Sequence, residues 1–380
     1  MSVDVNSSRL NIFHVLTLNG RNGEYGGPVR VARELCSELN ARGHATFIFS
    51  GALKGAEPTP KQGLSEDYIV VRPILKKWPV STLWSWRLFA SLTKHIRKAD
   101  VVHIHFARDL IPFLAAIISI LYGKPFVTQT HGMINSDARL SARVIDLILT
   151  RRLISKSRIN LVLTEYELSS VIEWGINSPC KVLPNGIAVK VNAQVKEQTS
   201  RRVAFCARLE KRKGVDKFIE LADSFRHSGI KFEIYGPDSG ELQLVNKEIK
   251  SRNLIGILEY RGSMPAQSVQ ELLEKIDVLV LPSKDEPFPM IVLESLAVGT
   301  AVIVMPSCGV ASQLTKFESS FVAKTEDLLG LIDALNQQKT RNYRNKTHSE
   351  IINFCVKEFG IASVTNQLLG HYEEAIGYDK

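Results

Sequence analysis

Two glutamates stand eight positions apart in the segment 282–294, PSKDEPFPMIVLE. Glu286 precedes a predicted helix over Met290–Val298, and Glu294 lies inside that helix among Ile, Val and Leu residues. A carboxylate on an apolar helix face needs hydrogen-bond donors, because burying it unpaired costs several kcal/mol. Hydroxyl groups of a ribose or hexose are suitable donors, so the pair indicates a sugar site. Ordinary acids favoured by the helix dipole would explain Glu286 moderately well and Glu294 poorly.

A basic loop occupies residues 207–214, ARLEKRKG, after a predicted strand and before a predicted helix. It holds four cations in six residues, Arg208, Lys211, Arg212 and Lys213. Such runs are usually solvated surface, but this one lies where a parallel strand ends, the edge at which open α/β sheets bind ligands. An arginine binds phosphate oxygens through two hydrogen bonds, and a lysine acts as a point charge. Arg208 and Lys213, at the two ends of the loop, are the candidate phosphate ligands.

A glycine-rich loop, NGRNGEYGGP at residues 19–28, separates the first predicted strand from its helix. Gly26 and Gly27 allow the backbone to approach a ligand closely, and Pro28 suits the first turn of a helix. The N–H groups of that helix start would then point at an anion. The spacing differs from G-x-G-x-x-G, so the dinucleotide fingerprint is absent. Anion binding and a flexible surface loop remain equally open.

Three histidines follow or line predicted strands. His131 comes directly after the predicted strand Pro125–Thr130 and before Gly132, where it can face a ligand. His103 and His105 alternate within VVHIHF and therefore point to the same face of one strand. They would make a metal pair, but no Cys, Asp or third His follows at ligand spacing. We therefore favour structural or cleft-lining roles for these two and predict no metal site.

Short runs rich in Val, Ile and Leu alternate with longer helical patterns, which predicts parallel sheets covered by helices on both faces. The predicted strands are Asn11–Leu18, Tyr68–Arg72, Asp100–Phe106, Pro125–Thr130, Ile159–Thr164, Lys181–Leu183, Val203–Ala207, Lys231–Tyr235, Ile257–Tyr260, Val278–Leu281, Ala301–Val304 and Phe321–Ala323. The predicted helices include Val29–Arg42, Leu83–Arg97, Val215–Phe225, Ser268–Lys275, Met290–Val298 and Ser363–Tyr378. Two such series indicate two doubly wound α/β domains, divided near the polar segment 188–201.

The composition excludes several classes of protein. With 380 residues the chain is too long for one ordinary core, and 44% hydrophobic with 23% charged residues is typical of a globular protein. The longest apolar run, residues 110–122, is about half of a membrane span and predicts a buried helix. Five scattered cysteines without a C-x-x-C pair, and an N-terminus without a secretory signal, predict a reducing, cytoplasmic location.

The charge is unevenly distributed. Residues 1–190 hold 24 Lys and Arg against 14 Asp and Glu, whereas residues 191–380 hold 24 against 25. A basic half suits nucleic acid, anionic lipid or an acidic substrate. The segment 76–78, KKW, precedes the predicted helix Leu83–Arg97, which mixes aromatic and basic residues as surfaces resting on anionic lipid do. An amphipathic helix packed on its own sheet explains this pattern nearly as well.

These motifs together resemble glycosyltransferase family 4. ARLEKRKG looks like that family's G-R-L-x-x-x-K-G loop, EPFPMIVLE matches its two glutamates separated by seven residues, and GGPVRVARELCSELNARGH is similar to its glycine loop and helix. THG, KVLPNG and PSKDE occur in the expected order, so the resemblance spans about residues 11–310. It implies the GT-B fold, in which two Rossmann-like doubly wound domains face a central cleft. Residues 1–190 would form the acceptor domain and 191–360 the nucleotide-sugar donor domain, with a helix in 361–380 crossing back to the first.

The resemblance also implies a catalytic set of four residues and a further donor ligand. Arg208 and Lys213 would hold the diphosphate of the donor. Glu294 would hold the ribose hydroxyls, and Glu286, a member of the catalytic set with the two cations, those of the transferred sugar. His131, the fourth member, would lie near the reacting face of that sugar.

Further contacts with the substrates are implied for backbone groups. Gly26 and Gly27 would lie near the phosphate and the acceptor. The N–H groups of Phe288 and Met290 would touch sugar or phosphate. Ala207 replaces the glycine that usually precedes the loop's arginine, which removes no charged group.

The implied activity is transfer of a hexose from a nucleotide-diphosphate sugar, with retention at the anomeric carbon, to a glycan or lipid-linked acceptor. Family analogy suggests cell-surface polysaccharide biosynthesis, such as that of lipopolysaccharide, by a cytoplasmic enzyme in peripheral contact with the inner face of an anionic membrane. Arg208 and Lys213 would stabilise the charge that develops on the diphosphate, and the leaving phosphate would take the acceptor proton. Neither a metal nor another cofactor is expected, because two cations and helix N-termini replace Mg²⁺.

Three other functions fit parts of the pattern. A GT-B relative that epimerises or phosphorolyses sugars would differ in its products. An NAD-dependent oxidoreductase would share the doubly wound domains, but it needs the missing G-x-G-x-x-G and an acidic partner. A non-catalytic module would grip nucleic acid with the basic half, but no RNP, KH or zinc signature is present, so no nucleic-acid partner is predicted.

Overall fold

The computed structural model describes most of the chain. The described residues are 9–21, 26–74, 83–132, 149–189, 201–318, 321–340 and 346–377. Lys76, Lys77 and Trp78, the middle of the glycine loop and most of the segment 188–201 lie outside them.

Strands and helices alternate through the described residues. The strands are β1 Asn11–Leu18, β2 Ala45–Leu53, β3 Glu66–Pro73, β4 Leu83–Trp84, β5 Val101–His105, β6 Phe126–Gln129, β7 Ile159–Val162, β8 Cys180–Val182, β9 Arg202–Cys206, β10 Lys231–Tyr235, β11 Leu258–Gly262, β12 Val278–Leu281 and β13 Ala301–Val304. The helices are α1 Gly26–Ala41, α2 Trp86–Ile96, α3 Leu110–Leu121, α4 Arg151–Ile154, α5 Glu165–Glu173, α6 Val215–Ser224, α7 Leu242–Ser251, α8 Ala266–Leu273, α9 Met290–Ala297, α10 Ala311–Phe317, α11 Leu328–Thr340, α12 Lys346–Phe359 and α13 Ile361–Gly377.

The first of two compact units contains the described residues up to Gly186 and those from Ile361 onwards. Its eight-stranded sheet has the order β4-β3-β2-β1-β5-β6-β7-β8. Neighbouring strands are parallel except for β3 and β4. The central strands β5, β6 and β7 are buried along their whole length, as expected when helices cover both faces of a sheet.

The helix α13 packs on the first unit although it follows the second in sequence. It lies against α1, β5 and β6. The sequence places Val364, Leu368, Tyr372 and Ile376 four positions apart, which predicts one apolar face of the helix. The first three are buried, whereas at the end of the helix Ala375 is buried and Ile376 is only half-buried. The sequence-based face is therefore confirmed with a small rotation at the last turn.

The second unit, Ile187–Gly360, holds a five-stranded parallel sheet in the order β11-β10-β9-β12-β13. Aromatic rings fill the space between this sheet and α6. The Phe218 ring lies 5.7 Å from that of Phe205 and 5.8 Å from that of Phe232, between ring centroids. All three side chains are fully buried.

The strand β2 was not apparent from sequence, because its second half consists of small residues. A β-carbon on Gly51 would lie 2.8 Å from both Ile111 Cδ1 and Thr17 O. The strand therefore uses glycine and alanine where α3 packs close to the sheet, and these residues carry little strand propensity.

Two predicted elements are shorter than their patterns indicate. The predicted helix Leu83–Arg97 begins only at Trp86, because Leu83–Trp84 pair with β3 as a two-residue antiparallel strand. The predicted strand Phe321–Ala323 makes only an isolated bridge between Val322 and Val304. An apolar pattern in the sequence does not show how many residues of a segment will pair with a neighbouring strand.

The apolar run that predicts a buried helix forms α3, whose end is exposed. Ile111, Phe113 and Ile118 are buried, whereas Leu121 is 69% exposed and Tyr122 45%. Within the described residues, none of the helices combines the length and the apolar character needed to cross a bilayer.

Candidate active site

The basic loop and the acidic loop follow neighbouring strands of the second unit. β9 ends at Cys206 and β12 at Leu281, and the two strands pair in parallel. Their carboxyl ends therefore lie side by side, where open α/β sheets bind ligands. Arg208 and Lys213 follow the first strand, and Glu286 follows the second.

Gly214 ends the basic loop at a position that only glycine fits. Lys211–Lys213 form one 3-10 turn, after which Gly214 has a φ of 73°. A β-carbon on Gly214 would lie 2.3 Å from the carbonyl oxygen of Pro282. The N–H of Lys284 donates to the carbonyl oxygen of Arg212 at 3.0 Å. The two loops are therefore in direct backbone contact.

An ion pair also joins the two loops. Lys213 Nζ lies 2.5 Å from Glu286 Oε2, and the side chains are 13% and 11% exposed. Arg212 Nη1 lies 3.4 Å from the same oxygen. Water screens such a nearly buried pair less than a surface pair. Sequence reasoning selects Lys213 and Glu286 but leaves out Arg212, which lies next to them.

Arg208 stands apart from that ion pair. Its side chain is 62% exposed, and its Nη2 lies 3.3 Å from Glu210 Oε2. Glu210 also lies 3.5 Å from Arg212 Nη2, so it bridges the two guanidinium groups. Glu210 was missed from sequence, although its place among the cations of ARLEKRKG is a usable signal. The exposed guanidinium of Arg208 is accessible to an incoming anion.

A third loop, after β13, supports the backbone around Glu286. Asp285 has a φ of 49°, which is uncommon outside glycine. Its N–H donates to Ser307 Oγ at 3.1 Å, and the N–H of Gly309 donates to the carbonyl oxygen of Glu286 at 2.8 Å. A β-carbon on Gly309 would lie 1.8 Å from the carbonyl oxygen of Pro287. Glu286 is thus held in a closely packed loop.

Glu294 lies on α9 at the same edge of the sheet. It is half-buried, and Cys206 ends the neighbouring strand β9. Burial raises the pKa of Cys206 to about 12, and the charge of Glu294 adds to that rise. Glu294 therefore lies near the end of β9, from which the basic loop begins.

Phe288 and Met290 flank the start of α9. Phe288 is buried, and its ring centroid lies 6.1 Å from that of Phe359. Pro289 occupies the N-cap position, and Met290 is the first residue of the helix and half-buried. The N–H of Met290 therefore belongs to the helix start, where donors have no intrahelical acceptor.

In the first unit, a buried carboxylate bonds to both sequence neighbours of His131, whose φ is 51°. Glu167 Oε1 accepts from Thr130 Oγ1 at 2.6 Å and from the N–H of Gly132 at 2.8 Å. Glu167 Oε2 accepts from the N–H of Leu163 at 2.7 Å. The left-handed conformation of His131 is therefore fixed from both neighbours.

Glu167 was missed from sequence, although a signal exists. It stands three positions after Thr164, whose Oγ1 accepts from the N–H of Glu167 at 3.1 Å at the start of α5. That is the spacing of a capping box. Here the carboxylate turns to the His131 loop instead of completing the box.

Four histidines stack in a row that runs from the middle of β1 and β5 to the carboxyl edge of the sheet, where His131 follows β6. The ring centroids are 4.7 Å apart for His14 and His103, 4.6 Å for His103 and His105, and 5.0 Å for His105 and His131, with planes within 24°. Burial lowers the pKa of His14 and that of His131 to about 3, and it places the pKa of each of the other two well below the usual value. All four imidazoles are therefore uncharged at neutral pH.

Contrary to the expectation that no third histidine accompanies His103 and His105, His14 lies beside them. Ring nitrogens of His14, His103 and His105 lie within 4.8 Å of one another. Nearly parallel rings, however, direct their in-plane lone pairs side by side rather than towards one point. His14 Nδ1 and His105 Nε2 lie 3.1 Å apart and bond to each other, whereas His103 bonds to Tyr372 and Gln129. His14 joins the group because it lies directly opposite His103 on paired strands, which the sequence does not reveal.

Gly26 and Gly27 begin α1 in the first unit. Within the described part of the chain, no heavy atom lies within 4 Å of a β-carbon placed on Gly27. The strands β1, β5 and β6 are neighbours, so the glycine pair, His105 and His131 follow strands at one edge of one sheet. The N–H groups at the start of a helix are the donors that an anion would use.

Two family models match consecutive parts of the chain. The model described as Glycosyltransferase Family 4 matches residues 25–191, and that described as Glycosyl transferases group 1 matches residues 188–351. Glycogen synthase of Mycobacterium tuberculosis (strain CDC 1551 / Oshkosh) is 22% identical over 82% of this chain and 81% of its own. The putative teichuronic acid biosynthesis glycosyltransferase TuaC of Bacillus subtilis (strain 168) is 23% identical over 73% of each chain.

A solved structure shares the fold. Anabaena Alr3699/HepE, crystallised in complex with UDP and glucose, superposes with a TM-score of 0.72 at 15% identity, over 95% of this chain and 99% of that one. With two doubly wound units and with both family models matched in order, the chain belongs to glycosyltransferase family 4, has the GT-B fold and is a glycosyltransferase.

Proposed function

We propose that the protein is a retaining hexosyltransferase that uses a nucleotide-diphosphate sugar to extend a glycan or a lipid-linked glycan in cell-surface polysaccharide biosynthesis. The observation that carries the donor assignment is the nearly buried pair of Lys213 and Glu286 at the carboxyl edge of the second sheet. A diphosphate needs the cation, and a sugar hydroxyl needs the carboxylate as an acceptor. The Lys213–Glu286 pair thus offers a partner both to the diphosphate and to the sugar of the donor.

Two relatives support the substrate classes. The Anabaena protein was crystallised with UDP and glucose, which favours a nucleotide sugar as donor here. TuaC carries the name of a teichuronic acid biosynthesis enzyme, which favours a cell-surface polysaccharide as product. All five cysteines are free, which agrees with the reducing cytoplasm as the location.

The proposed mechanism stabilises the leaving diphosphate electrostatically. As the bond to the anomeric carbon breaks, negative charge grows on the phosphate oxygens, where Lys213 and the exposed Arg208 would bind. We assign no carboxylate as a nucleophile. The acceptor oxygen bonds to the anomeric carbon on the face that the phosphate leaves, which retains the anomeric configuration, and its proton passes to the leaving phosphate. Two cations and the start of α9 would supply the positive charge without a metal ion.

Product analysis separates this proposal from the other functions. The purified protein would be incubated with a panel of nucleotide sugars, with and without candidate acceptors, and in buffer containing EDTA. Free nucleotide diphosphate together with an α-linked, lengthened acceptor is the expected result. A sugar phosphate would indicate a phosphorylase, and an isomerised nucleotide sugar would indicate an epimerase. NADH binding by fluorescence would indicate an oxidoreductase.

The two glutamates should act on different parts of the donor. Glu294→Ala should weaken the binding of the nucleotide diphosphate roughly 10- to 150-fold, because a hydrogen bond to a charged group contributes about 1.5–3 kcal/mol. Glu286→Gln should leave that binding unchanged, because both cations that would hold the phosphates remain. It should instead slow sugar transfer, because an amide replaces the carboxylate that would accept from the sugar hydroxyls. Calorimetric titration with UDP and steady-state kinetics measure the two effects.

The matched control for these variants is Glu271→Ala, which removes an exposed carboxylate on α8 in the same unit. It should change neither the binding of UDP nor the rate of sugar transfer. Wild-type turnover and wild-type UDP binding in both Glu286→Gln and Glu294→Ala would show that the donor site lies elsewhere.

We further propose peripheral contact with an anionic membrane through the exposed face of α2 and the end of α3. This α2–α3 surface presents apolar groups at Trp86, which is 89% exposed, at Phe89 and at Leu121. The guanidinium of Arg97 lies 5.5 Å from the ring centre of Tyr122, which joins the two helices. Its exposed cations are Arg87, Lys94, Arg97 and Lys98. Aromatic groups beside cations suit the interface of an anionic bilayer.

The protein should therefore co-sediment with vesicles of anionic lipid at low salt and not with neutral vesicles. Each cation near such a surface contributes about 1 kcal/mol, so four of them give reversible, salt-sensitive attachment. Replacing Arg87, Lys94, Arg97 and Lys98 with Gln should abolish co-sedimentation and leave donor hydrolysis intact.

The control for membrane binding removes four exposed cations of the second unit, Lys247, Lys250, Lys316 and Lys324. It has the same net charge as the α2–α3 variant and should keep binding vesicles. Equal loss in both variants would mean that total charge, rather than this surface, is responsible.

A further inference from the structure

A chain of hydrogen bonds starts at the interior end of the histidine stack. Gln129 Oε1 lies 3.2 Å from His103 Nε2. The other nitrogen of that ring, His103 Nδ1, lies 2.6 Å from the hydroxyl oxygen of Tyr372 on α13. The same hydroxyl oxygen lies 3.5 Å from His14 Nε2, which is the longest link.

The chain continues to the edge of the sheet and ends at His131. His14 Nδ1 lies 3.1 Å from His105 Nε2, and His105 Nδ1 lies 2.7 Å from His131 Nε2. His14, His103 and His105 therefore each use both ring nitrogens in these hydrogen bonds. His131 uses only one of its nitrogens, and its Nδ1 has no hydrogen-bond partner among the described residues.

Each group in the chain carries one proton at neutral pH. The imidazoles are uncharged, because burial lowers the pKa of each of them. Burial also raises the pKa of Tyr372 well above its usual value, so its hydroxyl keeps the proton. A neutral imidazole has one donor and one acceptor nitrogen. The direction of any one bond therefore sets the direction of all of them.

The direction follows from the Gln129 oxygen, which can only accept. His103 Nε2 must then carry the proton, and His103 Nδ1 accepts from the Tyr372 hydroxyl. The Tyr372 oxygen in turn accepts from His14 Nε2.

The same rule applies along the rest of the chain. His14 Nδ1 accepts from His105 Nε2, and His105 Nδ1 accepts from His131 Nε2. His131 is left with a proton on Nε2 and a lone pair on Nδ1.

We propose that Tyr372 is a positioning residue, which acts through His14 and His105 to hold His131 in the tautomer that offers an unprotonated Nδ1 to a hydroxyl group of the sugar substrate. The identity of that partner rests on the proposed function, whereas the tautomer itself does not. A hydroxyl can donate to this nitrogen, but a carboxylate at the same place has no proton to donate and is repelled by the lone pair. The hydrogen-bond chain thus favours a neutral hexose over a uronic acid beside His131 Nδ1.

The position of Tyr372 agrees with this role. Its side chain is fully buried, and its ring meets that of His103 edge-on, with centroids 5.8 Å apart. A buried tyrosine hydroxyl needs partners, since leaving it unpaired costs free energy. Phenylalanine would fill the same space without a hydroxyl group that needs partners. The hydroxyl of Tyr372 therefore contributes to the hydrogen-bond chain rather than to the packing.

The tautomer can be measured directly by NMR on the full chain labelled with ¹⁵N-histidine. The chemical shifts of the two ring nitrogens distinguish the protonated from the unprotonated one, and single His→Gln variants assign the signals. In the wild-type protein we expect His131 to have Nε2 protonated and Nδ1 unprotonated. A proton on His131 Nδ1 would overturn the proposal. The nitrogen of the Gln129 amide is buried without a partner among the described residues, so turning that amide over would reverse every bond and give this opposite result.

Tyr372→Phe removes only the hydroxyl, and His131 should then no longer be held in a single tautomer. We expect the His131 signals to shift towards a mixture of the two forms, and kcat for sugar transfer to fall roughly 3- to 10-fold, as for the loss of one neutral hydrogen bond. The affinity for UDP, which the second unit would bind, should not change.

The matched control is Thr365→Val on the same buried face of α13. The Thr365 hydroxyl is buried and has no hydrogen-bond partner within the described chain, so its removal should change neither tautomer nor kcat. An unchanged His131 tautomer in Tyr372→Phe would overturn the role of Tyr372. If the wild-type and variant spectra agree with expectation but no sugar transfer is found, the proposed function fails and the positioning chain stands.

Discussion

Replacing Lys213 with alanine should lower the turnover of donor sugar at least about 100-fold, the usual loss when one preorganised group that stabilises developing negative charge is removed. In the free protein the Lys213 ammonium is nearly buried and contacts Glu286 at 2.5 Å, so it is held in place before the donor arrives. No reorganisation is then needed as charge grows on the diphosphate. The effect should fall on kcat more than on the binding of UDP.

The control for this prediction lies in the same 3-10 turn. Lys211 is exposed, and Lys211→Ala removes the same charge from a point two residues away. It should change turnover little, and Lys213→Arg should recover part of it. Equal losses for Lys211→Ala and Lys213→Ala would mean that the loop acts as a diffuse basic patch. Thermal unfolding of both variants would show whether the lost ion pair also weakens the fold.

The first unit should lose stability steeply as the pH falls from 6.5 to 5. Burial lowers the pKa of His14 from 6.5 to about 3. Between pH 6.5 and 5, His14 therefore binds a proton in the unfolded state but not in the folded state. The free energy of unfolding therefore decreases as the pH falls. At pH 5 the loss from His14 alone is roughly 2 kcal/mol, at about 1.4 kcal/mol per pH unit. His103, His105 and the half-buried His131 act in the same direction.

Tryptophan fluorescence can follow this effect, because Trp84, Trp86 and Trp174 all belong to the first unit. Denaturant unfolding at several pH values should show a falling midpoint below pH 6.5. His14→Gln should reduce the pH dependence by about one proton. His227→Gln removes an exposed histidine of the second unit and is the matched control. A midpoint that stays constant between pH 7 and 5 would contradict the buried neutral stack.

Sequence patterns predicted the parts of the structure that depend on local residue types. The strands Asn11–Leu18 and Lys231–Tyr235 coincide with their predicted bounds, because β-branched or aromatic residues recur along each of them. The family and the fold were predicted correctly from motifs, since ARLEKRKG and EPFPMIVLE each stand after a strand that ends at the same edge.

Contacts between distant segments were beyond local patterns. The meeting of His14 with His103 depends on the register of two strands that are far apart in sequence. Tyr372 was predicted only as an apolar face residue, because nothing local indicates which hydroxyl finds a histidine. Arg212 was set aside because a charge run alone does not reveal which cation turns inward. The roles of the site residues remain predictions that the experiments above decide.

The path of the chain between the two units has a consequence for biosynthesis. Ile187 and Gly360 form a bridge, and the N–H of Ile187 donates to the carbonyl oxygen of Phe359 at 2.8 Å, so the second unit begins and ends at one place. The second unit is thus an insertion within the first unit, which is complete only after α13 has been synthesised. A ribosome needs roughly 9 to 35 seconds to add residues 187–360 at about 5–20 residues per second. During that interval the nascent first unit lacks α13, so the apolar surface of α1, β5 and β6 that this helix covers is exposed to chaperones.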